Sequence, residues 1–144
     1  MTNQEKKEFL GRYRSAGEEV QRLGEEIAQW ESRAATVTTR YGVGPRAGGS
    51  EDRLQAAVEH IDELRDELSR ELERQLALRR EIEAALGNLP DERLRQLLRY
   101  RYIQGWTWEK ISEKTYTDPR WLHRLHDRAL DLLTMESHHK AVVL

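Results

Sequence analysis

The sequence predicts an all-α protein in which a long, coiled-coil-like helical hairpin precedes a small cluster of shorter helices. Three observations carry that expectation. Charged residues make up 35% of the 144 positions, against 38% hydrophobic and 7% aromatic. Glu, Arg, Leu, Ala and Gln outweigh Val and Ile, a balance that suits amphipathic helices and leaves too little apolar material for a thick core. Apolar residues recur at alternating steps of four and three through the first part of the chain, and after Gly87 the pattern breaks into short apolar segments bounded by Pro, Gly and capping residues.

The first element is read from Phe9, Tyr13, Ala16, Val20, Leu23, Ile27, Trp30, Ala34 and Val37. This spacing is a seam of about four heptads, the mark of a helix packed along its length against another helix. Gly11, Gly17 and Gly24 interrupt it, each costing roughly 1 kcal/mol relative to Ala, so most of its stability must come from a partner. A Gly- and Pro-rich run at 41–49 then reads as a flexible connection. Ser50 is the expected N-cap of the second helix, with Glu51 and Asp52 in its first turn.

The second element covers about 51–86, with Leu54, Ala57, Ile61, Leu64, Leu68, Leu72, Ile82 and Leu86 on its apolar stripe and Gln75 and Arg79 interrupting it. Two long helices joined by a Gly-rich loop predict an antiparallel hairpin over 1–87 that serves oligomerisation or partner docking. Gly87 suits the end of this helix, and Pro90 followed by Asp91 and Glu92 suits the first turn of the next.

A third region is expected over 88–134, followed by a flexible tail at 135–144. Leu94, Leu97, Leu98 and Tyr102 give a helical face ending near Gly105. Thr107 caps a short helix with Ile111 inward, Thr115-Tyr116-Thr117 turns, and Asp118-Pro119 starts a longer helix. Leu122, Leu125, Ala129, Leu132 and Leu133 mark the inward face of that helix. A helix, a short helix, a tight turn and a longer helix form the helix-turn-helix plan. Charge follows the same division: 14 basic and 18 acidic residues stand at 1–90, against nine basic and seven acidic at 91–134. That is the direction expected of an acidic scaffold carrying a basic reader.

The residues of the third region resemble a known family. Leu89-Pro90-Asp91-Glu92, then Tyr102-Ile103-Gln104-Gly105-Trp106-Thr107-Trp108-Glu109-Lys110-Ile111, then Arg128-Ala129-Leu130 are similar to region 4 of bacterial sigma factors. His123-Arg124-Leu125-His126-Asp127-Arg128-Ala129-Leu130 looks like the sigma-region-4-like phage late-gene regulators of the ArpU and RinA type. Ser112 stands where that pattern usually has Ala, and Thr115-Tyr116-Thr117-Asp118-Pro119 replaces the usual Leu-Gly turn. The resemblance implies a phage or prophage transcriptional regulator in the cytoplasm of a bacterial host. Its partners would be promoter DNA and host RNA polymerase. A lone reader of this size makes few phosphate contacts, so the DNA-binding reading in turn favours a homo-oligomer, a dimer above all, paired through the hairpin.

A recognition helix buries one face and shows donors to phosphates and base edges on the other. Arg120, Arg124 and Arg128 stand at i, i+4 and i+8 and so share one stripe. Trp121 and His123 lie near the helix N-terminus, the end that enters the major groove, and Lys110 lies near the start of the preceding helix. These six are the expected DNA-contacting residues, weighed against a reading in which the arginines pair with Asp127 and Asp131. Trp106 and Trp108 are expected in the small core.

No catalytic role is expected. The sequence has no Cys, no P-loop, no Gly-x-Ser-x-Gly and no His-Glu-x-x-His. Metal and cofactor are expected to be absent, since His123 and His126 at i, i+3 lack a convincing third ligand. No stretch approaches the length of a bilayer span. Two alternatives draw on the same features. One is a small terminase subunit that recognises phage DNA for packaging; the other is an adaptor that docks on RNA polymerase without binding DNA.

Overall fold

The computed structural model describes residues 1–41 and 47–135, and over them the protein is all-α. Its helices are α1 (Asn3–Tyr41), α2 (Ala47–Gly87), α3 (Glu92–Leu98), α4 (Trp108–Thr115) and α5 (Pro119–Leu132). Residues Arg99–Ile103 continue α3 as a π-helical turn. The centre of the expected loop, residues 42–46, and the tail beyond Met135 lie outside the described residues. Helix α2 begins at Ala47, so Ser50 sits within the helix and is not its N-cap.

The contacts divide the chain into two compact units, and the division does not fall after residue 87. One unit joins Met1–Ser15 to the chain from Gln75 onward; the other is Ala16–Arg74. Helices α1 and α2 therefore each contribute to both.

The second unit is a helical pair. Leu23, Ile27, Ile61 and Leu64 are buried together, with Trp30, Ala34 and Leu68 packed against them. Trp30 meets the His60 ring edge-on at 4.5 Å, and Glu31 pairs with Arg65 at 3.5 Å. Late residues of α1 thus meet early residues of α2, the antiparallel order that the heptads predict. Leu72, expected on the apolar stripe, is instead 47% exposed. A helix advances about 100° per residue while a heptad assumes slightly more, so a face traced by heptads drifts off the contact line.

The first unit has a core drawn from both of the domains that the sequence predicts. Phe9 and Leu10 of α1, with Ile82, Ala85 and Leu86 of α2, pack against Leu89, Leu94, Leu98, Ala129, Leu130, Leu133 and Met135. Leu10 and Leu130, neither of them on an expected stripe, are fully buried. Met135, expected to open the tail, is 8% exposed and belongs to this core. Polar contacts reinforce the same junction. Lys6 Nζ donates to the Leu130 carbonyl at 2.6 Å, Asn3 to Asp131 at 2.7 Å, and Arg99 to Glu83 at 3.1 Å.

Local chemistry sets the short helices. The Asp91 side chain accepts from the Arg93 amide and caps α3, which leaves Pro90 outside the helix rather than in its first turn. Thr107 accepts from the Lys110 amide, and Asp118 from the Arg120 amide with Pro119 directly after it. Gly105 has φ +72°, and a Cβ there would come within 3.2 Å of Arg14 Nε. Only glycine takes that conformation cheaply.

Candidate nucleic-acid interface

Helices α4 and α5 are separated by three residues, Tyr116, Thr117 and Asp118. Ile111 and Leu122 are buried with Leu97 of α3, and Tyr100, Trp106, Trp108 and Leu125 pack against them. This small core fixes α5 against α4. On α5 the buried side is Leu122, His126, Ala129 and Leu130. Leu132 is 41% exposed and Leu133 takes its place in the core, because the chain leaves the helix there and Leu133 turns inward as an extended residue.

The opposite side of α5 carries the arginine stripe. Arg120, Arg124 and Arg128 are all exposed. None is joined by an ion pair to a carboxylate among the described residues; Asp131 instead accepts from Asn3. Three unneutralised guanidinium groups at one helical register make a positive strip that suits a row of phosphates.

The remaining expected contacts flank this strip. Trp121 is 47% exposed and forms the rim of a cleft of about 250 Å³ lined also by Arg93, Gln96, Tyr100, Thr115 and Thr117. His123 is exposed, with its ring 4.8 Å from that of Trp108. The Lys110 ammonium lies 4.7 Å from the centre of the Trp106 ring while the residue stays exposed, a cation–π contact that holds the charge at the surface.

Behind α5 lies an aromatic cluster that sequence reasoning did not find. The π-helical turn widens the backbone at residues 99–103 and gives three consecutive side chains different partners. Tyr100 stacks on Trp106 with ring centres 4.4 Å apart. The Arg101 guanidinium sits 4.7 Å over Trp108 and donates to the Trp106 carbonyl at 3.0 Å. The Tyr102 hydroxyl shares a 2.7 Å hydrogen bond with His126 Nε2. Trp106 and Trp108 are thus half-buried walls of the cluster rather than its centre.

Burial, and secondly the positive charge of Lys7, pull His126 down to about 4 from an ordinary value of 6.5; Asp127 opposes this, and Arg101 and His123 add to it. His126 is therefore a neutral hydrogen-bonding group at neutral pH. Burial also raises the Tyr102 phenol. His123 and His126, weighed as an i, i+3 pair, face different surroundings: the first is exposed and the second only 4% so.

No family model, no curated protein and no solved structure matches the chain.

Proposed function

We propose that this protein is a sequence-specific DNA-binding transcriptional regulator of phage or prophage genes, late genes in particular, which holds promoter DNA with α4, the turn after it and α5. The observation that carries the reading is the exposed Arg120–Arg124–Arg128 stripe. It is free of ion pairs among the described residues and stands opposite a buried face that fixes α5 on α4. Arginines of the stripe would set the module on phosphates, and the N-terminal turn of α5, with Trp121 and His123, would read base edges. Lys110 would add a backbone contact. A single reader of this size makes few phosphate contacts, so pairing two through the long helices would raise effective concentration at a two-half-site operator. Val58 and Leu72, exposed apolar residues of α2 in the second unit, are suited to that pairing.

The test is fluorescence anisotropy of the purified protein with upstream DNA from its own genome, across a salt series and against scrambled duplex. The expected result is tighter binding to the upstream duplex with a steep negative salt slope. Replacing Arg120, Arg124 and Arg128 together with Ala abolishes it, since each stripe arginine removed takes away about one unit of slope. Sedimentation in the same buffer gives a dimer for a regulator and a ring of many subunits for a terminase small subunit.

A second reading, docking on host RNA polymerase, is favoured by the cleft beside Trp121. It has an apolar floor of Leu97, Leu122 and Leu125 and a guanidinium, Arg93, on its wall. Equal weak binding to both duplexes, or none, with polymerase capture intact in the triple arginine variant, selects that reading.

A further inference from the structure

The turn between α4 and α5 holds, in a left-handed backbone conformation, a bulky side chain that the fold does not need. Tyr116 closes α4 with φ 52° and ψ 41°, the left-handed region. It is the non-glycine residue with positive φ among those described. Left-handed backbone is unfavourable for any residue with a Cβ and rare for a bulky one. The ring gives nothing back to the fold: Tyr116 is 96% exposed, and its hydroxyl has no partner among the described residues.

Strain of this kind persists only where neighbouring contacts impose it, and here they do. Ser112 Oγ donates to the Thr117 carbonyl at 2.6 Å, Thr115 Oγ1 to the Ile111 carbonyl at 2.6 Å, and Thr117 Oγ1 to the Thr115 carbonyl at 3.0 Å. The Tyr116 and Thr117 amides both donate to the Ser112 carbonyl. Three hydroxyls and two amides thus clamp the turn around a residue that projects into solvent. The clamp accounts for Ser112, and glycine at 116 would satisfy the same backbone at lower cost.

We propose that Tyr116 is a positioning residue for DNA: its hydroxyl donates a hydrogen bond to a phosphate oxygen of the strand flanking the groove that the start of α5 enters. The inference rests on the DNA-binding reading given above. Tyr116 stands two residues before the Asp118 cap of α5. The chain there runs beside the helix end that enters the major groove, and tyrosine hydroxyls are among the groups that fix register on phosphates. A neutral donor releases no counterion of its own, so this contact adds affinity without adding to the salt slope.

The experiment compares the full chain with Tyr116→Phe and Tyr116→Gly by anisotropy on upstream and scrambled duplexes across salt, with thermal unfolding alongside. Y116F is expected to weaken binding about tenfold on both duplexes, with the salt slope and the melting midpoint unchanged. Y116G is expected to weaken binding at least as much while raising the midpoint. That opposite movement separates a DNA contact from a structural role. If Y116F binds as tightly as the native chain, or loses affinity for the upstream duplex alone, the phosphate contact is refuted while the DNA-binding reading stands. If the native chain binds neither duplex, both fall together.

Discussion

His126 shows what a single residue does at the centre of this arrangement. Its neutral ring packs against two aromatic neighbours: Trp108 meets it edge-on at 4.9 Å, and Tyr102 lies against it at 5.8 Å. Because the folded-state value, about 4, lies below the ordinary 6.5, the unfolded chain binds a proton first as pH falls. The stability His126 contributes is therefore complete above about pH 6.5 and is lost between about pH 6.5 and pH 4, on the order of 2–3 kcal/mol. Lys7, Arg101 and His123 disfavour the charged ring, and Asp127 alone among the named charges favours it. Thermal unfolding at pH 7.5 and pH 5.5 is expected to give a lower midpoint at the acid value, and His126→Gln is expected to flatten that difference. An equal drop in the variant would place the sensitivity elsewhere. This role was illegible in the sequence, where His126 stands only as half of a histidine pair, because its partners Tyr102 and Trp108 come from two other segments.

At the scale of elements, the sequence is most informative where the physics is local. Thr107 and Asp118 cap α4 and α5 as expected, since a cap needs only its own next three amides. Leu72 was misplaced for a different reason. The side that a helix residue faces depends on partners distant in sequence, and heptad counting has no access to them. On α2 the buried role past Leu72 passes to Leu78, Ile82, Ala85 and Leu86, so Gln75 and Arg79 do not interrupt the interface. The six expected contact residues were legible as a pattern on one helix and its neighbour; the turn residue Tyr116 was not, because its backbone sign is invisible without coordinates. Elements also carry slack. A Cβ added to Gly24 in α1 meets nothing within 4 Å, so Gly24→Ala is expected to stabilise the protein by about 0.5–1 kcal/mol. A midpoint raised by roughly 2–3 °C in a thermal melt checks it.

For the whole molecule, the consequence is that the candidate interface is not borne by a self-sufficient module. Phe9, Leu10, Ile82, Ala85 and Leu86 supply one wall of the core on which α3 and α5 rest. A fragment of residues 88–135 exposes the other wall and is of a size at which a lone core is at best marginal. It is expected to be unfolded by circular dichroism and to bind no duplex, whereas Leu10→Ala in the full chain is expected to cost about 3 kcal/mol. A cooperative melt from the fragment alone would refute this.

The same shared core sets a timetable for the ribosome. Lys6 and the Leu130 carbonyl that it binds are 124 residues apart. At about 5–20 residues per second the first strip of the core waits on the order of 6–25 s for its complement to emerge. During that interval Phe9 and Leu10 lack the α3 and α5 side of their core, and until residue 86 is made they lack the α2 side as well. The charged residues around them, Lys6, Lys7, Glu8 and Arg12, favour solvation of that segment until residue 130 has been made.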